Sequence, residues 1–155
     1  MNANMASDSN GSTLLSHVQE MLEGSIPPPP IAQLVGFDLK SIGGGRAVIE
    51  FEADKRHANP MGTLHGGILC DVTDAAMGMA YASTLQGGES FTTLELKINF
   101  LKPVRNAKLR AEGRVVGGGR TVGLVECNVF DEDERLVAHA ISTCMTLRGV
   151  QAMGR

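Results

Sequence analysis

The chain has no tryptophan, one tyrosine and five phenylalanines among 155 residues, so its core must be assembled from many small aliphatic side chains. Basic runs are missing too: 14 Lys and Arg stand against 17 Asp and Glu, a formal charge of -3. Binding to a phosphate backbone depends on clustered cations that displace counterions, which sets nucleic acid aside as a partner. There is no CxxC pair and no His/Cys cluster, hence no metal site to predict. Cys70, Cys127 and Cys144 are odd in number, widely spaced and embedded in apolar stretches, the pattern of buried free thiols in a reducing cytoplasm. No run approaches the roughly 18 consecutive apolar residues of a membrane span, and Met1 to Gly11 lacks the apolar centre of a signal peptide. Together these absences predict one cytoplasmic globular domain with no membrane partner.

What is abundant is glycine, nineteen residues of it, and small residues let backbones approach closely. Along the chain, Leu14, Leu15, Val18, Met21 and Leu22 fall at helical spacing and predict a short amphipathic helix ending near Gly24. Pro27 to Pro30 then predict a stiff, extended, non-helical connector. The organisation that follows is a disordered start, short helix and Pro-rich connector over 1–35, a main domain over 36–148, and a tail over 149–155.

Alternation from Phe37 to Ala53 around Gly43, Gly44 and Gly45 predicts a hairpin. A second alternating run sets Leu94, Leu96, Ile98 and Phe100 on one face and Glu95, Lys97 and Asn99 on the other, and it stops at Pro103. Lys108 to Val116, Thr121 to Phe130 and Leu136 to Leu147 read as three further strands in succession, so the sheet should be mostly antiparallel.

Between the two groups of strands lies one long helical pattern, His65 to about Leu85. At about 100° per residue, Ile68, Leu69, Val72, Ala75, Ala76 and Met79 make a stripe able to cover a concave sheet. The opposite side, with Cys70, Met77, Gly78 and Tyr81, is also apolar. One small sheet can bury only one of these faces, so the second is expected to meet another chain.

Asp74 falls on that second face, where an unpaired ionised carboxylate costs on the order of several kcal/mol. It is either a functional group or a partner in an ion pair across a subunit contact. Asp71 lies nearer the stripe's edge and reads as a solvated first-turn residue. His65, Gly66 and Gly67 start the helix, and glycines there leave backbone NH groups open toward an anion or a developing oxyanion. The alternative is that they only permit tight packing. Gly66 precedes Asp74 by eight residues, about 12 Å along a helix, whereas reacting atoms must come within roughly 3 to 3.5 Å. Two such helices packed antiparallel through their second faces would bring Asp74 of each to the helix start of the other.

The stretch Asn59-Pro-Met-Gly-Thr-Leu-His65-Gly66-Gly67, then Asp74, then Leu-Lys-Ile-Asn-Phe-Leu-Lys-Pro103 resembles the hotdog-fold acyl-CoA thioesterases, specifically their phenylacetic-acid-degradation subgroup. The resemblance covers about Gly36 to Leu147. It implies an α+β hotdog fold, a long helix wrapped by a mostly antiparallel sheet, with active sites at the interface of a homodimer, often within a homotetramer. It implies acyl-CoA as substrate and no cofactor or metal.

By the family motif, Asp74 from one chain would be general base or nucleophile, and Gly66 would supply the NH that polarises the thioester carbonyl. Asn59 and His65 would orient thioester or water, with turn residue and helix N-cap as their respective alternatives. A hydroxyl at the start of the following strand would be Thr93, which the alternation puts on the face away from the core; a register error of one residue exchanges it with Thr92. Gly67, Met61, Leu64, Met77 and Tyr81 are the expected acyl-binding residues. Lys102, Arg105, Gly119, Arg120 and Thr121 are those expected for the coenzyme, each with an ordinary solvated role as its alternative.

Two other functions remain compatible with such a fold: an acyl-thioester hydratase or dehydratase, which needs a histidine and carboxylate in a pattern not found here, and a non-catalytic acyl-CoA-binding protein.

Overall fold

In the computed structural model, which describes residues 14–153, apolar residues at helical spacing form helix α1, Leu14–Leu22, anchored by the buried Val18. The disordered start expected for Met1 to Gly11 lies outside the described residues. The prolines do not exclude helix throughout their run: Pro30 opens a second short helix, α2, Pro30–Val35. Proline suits this first helical position because its missing NH would have had no intrahelical partner. Gly36, at φ 87°, ends α2 in the left-handed conformation.

Six strands follow: β1 Phe37–Gly43, β2 Arg46–Ala53, β3 Ser90–Phe100, β4 Ala107–Gly118, β5 Val122–Asp131 and β6 Leu136–Leu147. They lie in the order β1-β2-β4-β5-β6-β3, and every neighbouring pair is antiparallel. The long helix α3, Gly66–Ala82, packs across this sheet, which is the hotdog architecture. β1 and β3 are the sheet's two edges.

The phase of α3 differs from the sequence expectation. Leu69, Val72, Thr73, Ala76, Met77 and Ala80 are buried against the sheet, whereas Ile68, Ala75 and Met79 are only half-buried. Met77 is 0 % and Tyr81 5 % exposed, so both belong to the inner face rather than to a second face. Gly78 likewise meets the Phe91 ring of its own chain, not another helix. On a helix apolar nearly all round, spacing alone leaves the inward direction free to rotate, and the curl of the sheet decides it. The closest backbone approach is elsewhere: a Cβ at Gly113 would run into the Ala76 carbonyl, so only glycine lets β4 lie against α3 there.

β3 carries the second departure. Thr93 pairs with Cys144 and Glu95 with Thr143, so Leu94 is the extra residue of a bulge. Phe91 and Thr93 face α3 before it, and Leu96 and Ile98 pack on the core after it. A one-residue insertion exchanges the faces of everything beyond it. Thr93 therefore points toward the helix, not away from the core, and Leu94 is 52 % exposed.

Candidate active site

The loop that delivers the start of α3 is held by Asn59, by Arg105 and by His57, which the sequence reading did not single out. Buried His57 accepts from the Asp54 NH at Nδ1 and donates from Nε2 to the Val35 carbonyl, tying the end of β2 to α2. The His65 NH then donates to the His57 carbonyl, and the Leu64 NH to the Val104 carbonyl. Asn59 organises the tight turn between: its Oδ1 accepts from the NH groups of Met61 and Thr63, and its Nδ2 donates to Thr63 Oγ1 at 2.9 Å. Arg105 fastens the same turn by donating to the Gly62 carbonyl at 3.0 Å.

At the helix start, His65 is the N-cap, its Nδ1 accepting from the Gly67 NH at 2.9 Å. That leaves the neutral ring's proton on Nε2. The Ile68 NH bonds to the His65 carbonyl. Among the described residues the Gly66 NH has no partner, which singles it out from Gly67 as the amide available to an oxyanion. Gly66 lies with Asn59, Leu64, Phe100 and Lys102 around an open depression of about 380 Å³.

Two turns further on, Asp74 is half-buried. Thr93 Oγ1 donates to its Oδ1 at 3.0 Å, and no ion pair engages it among the described residues. Burial pushes the carboxyl pKa above its ordinary value, the Thr93 bond pulls it back, and the nearby negative charge of Asp71 raises it again. One carboxylate oxygen is thus held while the other remains open. Asp74 and Asp71 stand in the wall of a cleft of about 410 Å³, closed on the other side by α1 and the proline segment.

The three thiols offer no competing nucleophile. Burial drives the Cys127 thiol up to about 12, and Cys70 and Cys144 are raised by burial and by the charge of Asp74. All three stay protonated at neutral pH, and the thiolate is the reactive form.

The other expected residues are scattered. Met61 is exposed and Leu64 buried beneath the turn, while Met77 and Tyr81 are enclosed in the core, Tyr81 with its hydroxyl on Thr146. Neither of the last two opens on the Asp74 cleft. Gly119, Arg120 and Thr121 form the turn beside the Ser90 end of β3, where the Thr146 NH bonds to the Thr121 carbonyl and Arg148 donates to the Arg120 carbonyl. Lys102 and Arg105 follow the Phe100 end, so the two groups of expected coenzyme contacts are separated by the length of an eleven-residue strand, about 35 Å.

The thioesterase superfamily profile matches residues 61–138, a span that includes Gly66, Asp74 and Thr93. A Saccharolobus solfataricus protein named as a candidate esterase is 39% identical over 104 residues, 67% of this chain and 74% of the relative. The 1,4-dihydroxy-2-naphthoyl-CoA hydrolase of Listeria monocytogenes is 25% identical over 114 residues, 74% of this chain and 91% of that enzyme. A crystal structure from Ralstonia eutropha, described as a candidate thioesterase related to phenylacetic acid degradation, superposes with a TM-score of 0.74. It shares 32% identity and covers 82% of this chain and 97% of that one.

Proposed function

Because the chain belongs to the thioesterase superfamily, we propose that it hydrolyses acyl-CoA thioesters to a free acid and coenzyme A at a site shared by two subunits. The observation that carries this reading is a half-buried carboxylate, Asp74, oriented by Thr93, on a helix whose first amide, that of Gly66, is free among the described residues and lies about 12 Å away along the axis. A single chain holds the base and the oxyanion donor too far apart. The edge position of β3 supports pairing with a second copy, since an uncovered strand edge offers unpaired NH and C=O groups. Antiparallel packing of two chains through this side joins each Asp74 to the partner subunit's Gly66. Exposed Val122 and Leu124 on the outer face of β5 support further association into a homotetramer.

Asp74 acts as general base. Its free oxygen takes a proton from water as the water oxygen bonds to the thioester carbon, and the carbonyl oxygen carries the resulting charge against the Gly66 amide. Collapse of the tetrahedral intermediate breaks the C–S bond, and the departing thiolate takes the proton from Asp74. A thioester is an activated acyl donor, so a carboxylate and one preorganised NH suffice. The raised pKa of Asp74 makes it a stronger base than a solvated carboxylate. His65 holds the helix start, Asn59 the turn before it, and Lys102 stands at the depression beside Gly66 to meet a coenzyme phosphate.

Asp74→Asn tests the assignment through thiol release and equilibrium binding measured together. Hydrolysis is lost while acyl-CoA binding persists; unchanged turnover overturns it. Loss of enoyl absorbance without thiol release would instead make the protein a hydratase.

A further inference from the structure

We infer that the acyl group lies in the cleft beneath the N-terminal strap of residues 14–36, and that Leu22 and Ile31 set the length of acyl chain the enzyme accepts. The inference rests on the thioesterase reading above and adds where the acyl group goes and what limits it.

The strap is fixed at both ends and open in the middle. Val18 anchors α1, Ala32 and Val35 anchor α2, and the Val35 carbonyl is held by His57. Between these anchors Met21, Leu22 and Ile31 form one wall of the 410 Å³ cleft, facing Ala75 and Met79 of α3. Leu22 is 37 % and Ile31 47 % exposed, so apolar surface lines both walls of a space with the volume of a small-ligand site. Asp74 stands in the same wall as Ala75, so a group whose reacting carbon sits at Asp74 has its hydrocarbon end directed under the strap.

The electrostatics select which end of the substrate enters. Among the described residues, the charged groups lining the cleft are Asp38, Asp71 and Asp74, with no lysine or arginine. Anionic coenzyme phosphates are repelled, and so is an acyl group ending in its own carboxylate. An uncharged alkyl or aryl chain fits. After hydrolysis the same fields act on the new carboxylate and favour its exit. Residues 14–36 lie outside the profile match of 61–138, so the chain-length limit is set apart from the segment that carries Gly66, Asp74 and Thr93.

The test is kcat/KM across butyryl-, octanoyl- and dodecanoyl-CoA, with succinyl-CoA as the charged comparison, for the full chain and for Leu22→Phe, Ile31→Phe and Leu22→Ala. Both phenylalanine variants occupy partly exposed positions, so the larger ring does not have to enter a packed core. They lower the dodecanoyl-to-butyryl ratio of kcat/KM by about tenfold, the scale at which pocket size discriminates hydrocarbon. Leu22→Ala moves the ratio the other way, and succinyl-CoA is at least tenfold poorer than butyryl-CoA for the unaltered chain. Ratios that stay constant in all three variants, or change by one common factor for every substrate, overturn the strap assignment while leaving the hydrolase intact. Absence of thiol release from every acyl-CoA by the unaltered chain overturns both.

Discussion

Thr93 Oγ1 donates to Asp74 Oδ1 at 3.0 Å across the gap between an edge strand and the central helix. The bond exists because the bulge at Leu94 turns Thr93 inward while Leu96 and Ile98 still reach the core. A strand of unbroken alternation could not satisfy both.

Removing that hydroxyl therefore separates the two threonines. Thr93→Val leaves a half-buried carboxylate without its donor, and hydrogen bonds to charged groups contribute about 1.5–3 kcal/mol, so kcat/KM falls by roughly tenfold or more. The Thr93 bond lowers the Asp74 pKa, so its loss also moves the acid limb of the pH–rate profile upward. Thr92→Val changes neither by more than about twofold, the scale of a substitution away from such a contact. Thiol-release kinetics over a pH series reads both effects.

Asp71→Asn acts in the opposite direction on the same limb. The base works ionised, so the acid limb of kcat/KM follows its pKa. The Asp71 charge raises that pKa; removing it lets Asp74 ionise at lower pH and shifts the limb downward. Thr93, Cys70 and Cys144 remain as the other polar groups near Asp74. A limb that moves upward or stays fixed contradicts the coupling.

Asp74 also carries a stability consequence. A carboxyl whose folded pKa exceeds its unfolded value binds protons more tightly in the native state, so stability is greatest below the ordinary carboxylate pKa and declines as pH rises toward the folded value. Above it, the buried charge remains a standing cost. Asp74→Asn, still able to accept from Thr93, melts at a higher temperature than the unaltered chain at neutral pH, and the difference disappears on acidification. Calorimetric melting at neutral and acid pH checks the sign.

Gly113→Ala probes the packing of sheet on helix. Its new methyl meets the Ala76 backbone carbonyl rather than a movable side chain, and overpacking of this kind costs about 1–3 kcal/mol or more. The melting temperature falls without a change in the chain-length ratio of hydrolysis.

Much of this arrangement is legible in the sequence wherever a local signal carries it. Gly43 to Gly45 mark the β1–β2 hairpin, and the spacing of Gly66 and Asp74 along one helix is fixed by helical rise alone. What escapes is set by tertiary context. Met77 and Tyr81 face inward because the sheet curls around α3, which an all-apolar helix cannot announce. Leu94 bulges without the glycine or proline that usually marks an irregular strand, so the face of Thr93 is misread by one residue. Pro30 starts a helix because its neighbours Ala32 and Val35 find a buried seat. The strap's place beside Asp74 depends on folding residues 14–36 back over the helix, and no spacing encodes that.

The sharing of one site by two chains is tested most directly by complementation. Asp74→Asn and Gly66→Val chains, each inactive alone, are unfolded, mixed in equal amounts and refolded together. Random pairing makes half the dimers mixed, each with one intact Asp74 opposite one intact Gly66, so about a quarter of the unaltered activity returns. A mixture as inactive as its two components contradicts a site assembled from both subunits.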